Sequence, residues 1–246
     1  MVLVHGFTQT RRSWERLLPR LAAEHEVLAV DAPAHGRSAA HRTDLVEGAR
    51  MLGETGGRAA YVGYSMGGRL ALHLAVERPE LVERLVLVGA TAGLDTEDER
   101  AQRRAADEAL AADLERDGLD AFLNRWLANP LFATLPTDAA GVEDRLENTV
   151  DGLAASLRLT GTGTQRPLWD DLPRLTMPVL FVVGELDAKF TAIAHRMRER
   201  WGGDATVEVI PGAGHACHLE RPDQFLDVVV PFLHRTTASP TASTNP

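Results

Sequence analysis

Two residue types are almost missing from this 246-residue chain, which has one cysteine, Cys217, and one lysine, Lys189. A lone cysteine excludes an intrachain disulfide and fits a reducing cytoplasm. Scarce lysine beside abundant arginine is what a GC-rich genome produces, so only arginines near a candidate site carry functional weight. Long hydrophobic runs are lacking too: no segment reaches the length needed to cross a bilayer, which argues against membrane insertion. The opening residues, Met1–Gly6, have no basic leader and no cleavage site, and are expected to be a strand rather than a signal peptide. Positive charge is in deficit. A net charge of −9 argues against nucleic acid or an anionic membrane as partner, while leaving a small anionic substrate open. There is no H-E-x-x-H and no cysteine pair, and His35, His41, His195, His215, His218 and His234 are scattered, so no metal site is expected. No G-x-G-x-x-G follows a strand, which leaves a dinucleotide unsupported; no cofactor is expected.

What the chain does have is Gly63-Tyr64-Ser65-Met66-Gly67. This fits G-x-S-x-G, the nucleophile elbow, in which a serine sits on a sharp strand-to-helix turn with its hydroxyl clear of the sheet. Glycine is needed because the turn strains the backbone and leaves no room for side chains beside the serine. Both residue types are common, so the pattern draws its weight from context. Ala59–Val62 reads as a short buried strand before it, and Gly68–Ala75 as a helix after it, with Leu70 and Leu74 on one face.

The surroundings extend this alternation. Strands are expected at Val2–Val4, Glu26–Val30, Leu85–Val88, Pro178–Val183 and Thr206–Ile210. Helices are expected through Trp14, Leu17, Leu18 and Leu21, around Asp44–Gly53, and at Pro222–Leu233. Short apolar runs alternating with helices predict an α/β fold with a mostly parallel central sheet flanked by helices. From about Gly93 to Leu172 the chain is helical and polar, with helices expected at Glu97–Leu114, Leu119–Leu127 and Arg145–Leu159. That block predicts a helical cap inserted over the carboxyl edge of the sheet, where open α/β folds bind ligands; an independent helical domain is the alternative. The expected organisation is a core of residues 1–92 and 173–235, a cap of residues 93–172, and a low-complexity tail, residues 236–246, read as disordered.

A serine hydroxyl becomes reactive when a histidine accepts its proton, and an acid fixes that histidine's tautomer. Asp187 lies just past a buried strand in Val183-Gly184-Glu185-Leu186-Asp187, and His215 in the loop after the next strand. The order Ser65, Asp187, His215 is that of the α/β-hydrolases. Glu185 is the competing acid and reads as a cap or a solvent-facing residue. His218 is the competing base and reads as lining the pocket or binding backbone. Cys217 reads as a small buried filler. An oxyanion site needs two backbone donors, expected from the amides of Met66 and Phe7, with His5 orienting the second loop.

His5-Gly6, Asp31-x-Pro33-x-His35-Gly36-x-Ser38 and Gly63-x-Ser65-x-Gly67-Gly68 are landmarks of the α/β-hydrolase superfamily, which nearly the whole chain resembles. Ser65–Arg69, Glu99–Arg103, Asn129–Ala133, Gly184–Phe190 and Gly214–Glu220 are similar to one branch of it, the 2-succinyl-6-hydroxy-2,4-cyclohexadiene-1-carboxylate synthases. These are pyruvate-eliminating lyases of menaquinone biosynthesis. The resemblance implies a small anionic polycarboxylate substrate, bound by Arg69, Arg103 and Arg145 with Trp126 and Tyr64 in the same pocket. It also implies that Ser65, polarised by His215 and Asp187, acts as a base. A carboxylesterase or thioesterase using the same triad through an acyl-enzyme is the alternative, and a non-catalytic binding protein the third reading. A monomer or weak homo-oligomer is expected. Two departures stand out: Ala34 replaces the usual glycine of its loop, and the strands that relatives place before His5-Gly6 are missing here or lie upstream of this start.

Overall fold

The computed structural model describes residues 1–234; the tail expected at 236–246 lies outside them. Six strands form one sheet: β1 Val2–Val4, β2 Leu28–Val30, β3 Ala59–Tyr64, β4 Val82–Val88, β5 Val179–Gly184 and β6 Ala205–Ile210. Their order is β2-β1-β3-β4-β5-β6 and every neighbouring pair is parallel. Parallel neighbours need crossovers that cover both faces, so both faces of each central strand must be apolar. The period-two alternation shows this directly. Leu85 and Leu87 of β4 and Val179, Phe181 and Val183 of β5 pack into one core, while Val86, Val88, Leu180 and Val182 pack into the other.

The first face is covered by α1 Leu45–Gly56, α2 Met66–Glu77 and, nearer β5, a helix over Ala188–Arg200. Asp44 caps α1 by accepting from the Glu47 amide, which places the helix start one residue after the expected one. The second face is covered by the closing helix, Pro222–His234, with Trp14, Leu17 and Leu21. Those three were expected on one helix. The structure has instead a 3-10 turn at Arg11–Trp14 and a single helical turn at Leu18–Leu21, with Pro19 in its first turn.

Between β4 and β5 the described chain holds only helices and turns: α3 Glu97–Asp117, α4 Leu119–Leu127 and α5 Val150–Thr160, with single turns between α4 and α5. A Thr96–Glu99 capping box starts α3. Ala111, Leu114, Phe122, Leu123, Leu153, Ala154 and Leu157 make a separate small core in this stretch. The single helix expected over Arg145–Leu159 is broken. Asn148 donates to the carbonyls of Thr8 and Arg145 and accepts from the Gly36 amide, and Thr149 then caps α5. Side-chain bonding to backbone outcompetes helix continuation there.

The strand order reverses direction between β1 and β3, so the loops leaving their carboxyl ends diverge and open a crevice. In the neighbouring loop Ala34 holds φ of 67°, the left-handed region that a β-carbon disfavours. Ala34→Gly is therefore expected to stabilise the fold by about 1 kcal/mol, read as a higher denaturation midpoint in urea with an unchanged slope.

Candidate active site

Ser65 occupies the turn between β3 and α2 with φ of 50°, a strained value for a residue with a side chain. Glycine neighbours make the turn possible. A β-carbon on Gly67 would fall on the carbonyls of Val4 and His5, and one on Gly63 would meet the Gly67 backbone. Ser65 also donates its amide to Val88 at 2.8 Å, which ties the elbow to β4.

His215 Nε2 lies 3.3 Å from Ser65 Oγ, and its Nδ1 lies 2.7 Å from Asp187 Oδ2. A carboxylate accepts, so Nδ1 carries the proton and Nε2 is left to take the serine's. Asp187 is itself oriented as the cap of the helix over Ala188–Arg200, accepting from the Phe190 amide at 3.3 Å. The His215 loop is bracketed by Glu220, which is buried and accepts from the amides of Gly214 at 2.6 Å and Ala216 at 3.0 Å. Sequence reasoning missed Glu220, since nothing in its spacing marks a carboxylate that holds amides. Gly89, at φ of 55°, leaves room for the His215 ring.

The competing residues fall elsewhere. Glu185 is exposed and accepts from the Gly212 amide. His218 neither lines the cavity nor binds backbone, which corrects that expectation. It is fully buried against Trp14, Tyr64 and Phe225, and neither ring nitrogen has a partner among the described residues. Cys217 is fully buried, and burial pushes its thiol up, away from reactivity.

Ser65 and His215 open onto a cavity of about 360 Å3. Phe7, Tyr64, Met66, Arg69, Arg103, Trp126 and Arg145, all singled out from sequence, line it together. So do Gln9, Asp107, Ser156 and Thr160, which were not, and Lys189, which belongs to the Gly184–Phe190 segment. Each arginine is held by one or two of its N–H groups. Arg69 Nη1 donates to the Thr160 carbonyl at 2.7 Å, and Arg103 Nε to Asp107 at 2.8 Å. Arg145 Nε donates to the Ala140 carbonyl at 2.7 Å, and its Nη1 to the Thr8 hydroxyl. Arg69 and Arg145 are 7% and 3% exposed, yet neither has a carboxylate at salt-bridge distance among the described residues. Burial lowers both to about 10, far enough above neutral to keep them charged. Trp126 stacks on Phe122 and meets Phe7 edge-on, and its buried indole N–H has no partner among the described residues. The site can thus move a proton through Ser65 and His215 while holding an anion against fixed guanidiniums.

Among the described residues no group of three histidine, cysteine or acidic side chains is placed to hold a metal, and no helix is long and apolar enough to cross a membrane. The alpha/beta hydrolase family profile matches residues 1–228. A Bacillus subtilis protein, named provisionally as a 2-succinyl-6-hydroxy-2,4-cyclohexadiene-1-carboxylate synthase, is 36% identical over 95% of this chain and 89% of its own. The Salmonella paratyphi C protein of the same name, without the qualifier, is 32% identical over 95% of this chain and 93% of its own. The solved structure of MenH from S. aureus superposes with a TM-score of 0.89 at 29% identity, covering 94% of this chain and 92% of that one.

Several buried histidines around this architecture are held neutral. Desolvation lowers His5 and His73 to about 4, and His35 and His218 to about 3. His5 shows how neutrality is used: Nε2 accepts from the Ala32 amide at 3.0 Å while Nδ1 donates to the Gly6 carbonyl, so the ring braces the loop carrying Phe7. Unfolding lets these rings bind protons at their ordinary value of about 6.5, so the unfolded state holds more protons below that pH. Stability is full above about pH 6.5 and is expected to fall as pH drops towards 4, by up to about 1.4 kcal/mol per pH unit for each histidine. Urea unfolding from pH 7.5 to 4.5 measures this slope, and His218→Phe should flatten it by about one proton. An unchanged slope in that variant would contradict the assignment.

Proposed function

We propose a carbon–oxygen lyase's chemistry for this site, and the premise is the family: the chain belongs to the alpha/beta hydrolase family and, within it, groups with the 2-succinyl-6-hydroxy-2,4-cyclohexadiene-1-carboxylate synthases. The reaction is elimination of pyruvate from 2-succinyl-5-enolpyruvyl-6-hydroxy-3-cyclohexene-1-carboxylate, a step of menaquinone biosynthesis. One observation carries the reading at the level of this chain's own residues. Arg69 and Arg145 are buried cations without acid partners, and both face the cavity of Ser65. An unpaired buried charge costs several kcal/mol, which a fold keeps only where a ligand supplies the missing partner. This substrate has a carboxylate on each of its succinyl, ring and enolpyruvyl parts. A carboxylesterase or thioesterase using the same triad covalently would have no need of such cations.

In the elimination, Ser65 Oγ takes the ring proton beside the succinyl carbonyl as its own proton passes to His215 Nε2, with Asp187 holding the imidazolium. The electron pair from that C–H bond forms the new ring double bond, the existing double bond shifts by one position, and the C–O bond to enolpyruvate breaks. The proton held on His215 balances the departing enolpyruvate, which becomes pyruvate. Water is not consumed. The amides of Phe7 and Met66 would stabilise charge on the succinyl carbonyl oxygen, Met66 doing so from the first residue of α2, where the helix favours negative charge. Residues 93–172 act as the cap that keeps the site dry, and Arg103, Tyr64 and Trp126 complete the pocket. The working assembly in this reading is a monomer or a weak homo-oligomer. The lone cysteine supports a cytoplasmic setting.

Coupling pyruvate release to a dehydrogenase tests the reaction. The wild type should release pyruvate without a burst, and Ser65→Ala should lower kcat by roughly a thousandfold or more. Arg69→Ala should raise KM at least tenfold, losing a charge-assisted contact of about 1.5–3 kcal/mol. Rapid p-nitrophenyl acetate hydrolysis with a burst, and no pyruvate, would make the protein an esterase.

A further inference from the structure

An acid in a cavity built for anions demands a reason. Asp107 is the only carboxylate among the described residues lining the cavity, and its side chain is 3% exposed. It lies one turn along α3 from Arg103, whose side chain is 41% exposed. Left alone, an ionised Asp107 would repel a polycarboxylate, and burial already disfavours its charge enough to push its pKa up. One of its oxygens, Oδ2, is buried with no partner among the described residues, lying against Gly161, where a β-carbon would collide with it.

The compensating feature is how Asp107 meets Arg103. The bond runs from Nε, not from the terminal nitrogens, so the Nη1 and Nη2 fork stays open for a carboxylate. A long, partly exposed arginine otherwise has many rotamers, and fixing it during binding costs affinity. Arg69 adds a second pressure, because its charge repels Arg103 while attracting Asp107. The acid thus offsets a repulsion that would otherwise turn Arg103 towards solvent before a substrate binds. We propose that Asp107 is a positioning residue that pins Arg103 through Nε and presents its guanidinium fork to a substrate carboxylate before binding. This rests on the polycarboxylate reading of the cavity.

The test is a double-mutant cycle of Asp107→Ala and Arg103→Ala, read by pyruvate release and, separately, by calorimetric binding of citrate as a tricarboxylate probe. Asp107→Ala should raise KM and the citrate Kd by about tenfold, with kcat within about twofold of wild type. Asp107→Asn, which keeps an acceptor for Nε, should fall between the two. On the Arg103→Ala background, where Asp107 is left unpaired, Asp107→Ala should raise neither constant further. Equal losses on both backgrounds, an unchanged or lower KM, or variants that fail to fold would each overturn the proposal and make Asp107 a structural acid. A wild type that binds citrate but releases no pyruvate refutes the lyase reaction alone and leaves the cycle readable in citrate Kd. A wild type that does neither removes both.

Discussion

The close approach of Gly67 to the end of β1 is the contact on which the site depends. Because no side chain stands between the elbow and the carbonyls of Val4 and His5, the first turn of α2 packs against the loop that follows β1. That approach brings Ser65 and Phe7 to the lining of one cavity at the reversal of strand order, with Met66 opening α2 directly after Ser65. The other components are braced in turn. His5 bridges the loops after β1 and β2, Asp187 is held as a helix cap, and Glu220 grips both sides of His215. Each brace is a side-chain hydrogen bond to backbone, so the scaffold holds the loops while the His215–Asp187 bond orients the imidazole.

The cations have a second, shared logic. Arg69 stands on the elbow helix and bonds the Thr160 carbonyl at the end of α5, while Arg145 stands between α4 and α5 and bonds Thr8 beside β1. The two guanidiniums therefore stitch the helical stretch to the sheet across the same cavity in which they are left without acid partners. Binding an anion there would complete their coordination and hold both halves of the cavity together.

Much of this arrangement was legible in the chain, for reasons that differ by residue. Gly63, Ser65 and Gly67 declare themselves because a strained turn tolerates few residue types. Asp187 and His215 follow because each stands just past a recognisable strand, apolar on both faces before Asp187 and alternating apolar with polar residues before His215. Arg103 and Arg145 came from likeness to relatives, since a helix rich in arginine and acid offers no internal signal of which charge faces inward. Asp107 was missed although its spacing from Arg103 is that of a helical ion pair, the one mark that would have found it. His218 was misplaced because its position in the loop said nothing of Trp14 and Tyr64, which arrive from distant segments to enclose it.

The sequence by itself determined the class of fold, the serine at the elbow and the order in which Asp187 and His215 follow it, because these rest on local periodicity and on turns that favour glycine. It also carried the departure at Ala34, although not the left-handed backbone that makes the usual glycine preferable there. Only the tertiary structure decided which arginines are buried and unpaired, which N–H groups hold them, and that an acid stands among them. Those properties depend on what surrounds a side chain in space, and desolvation and hydrogen bonding are set by neighbours remote in the chain, as Thr8 is from Arg145 at a separation of 137 positions.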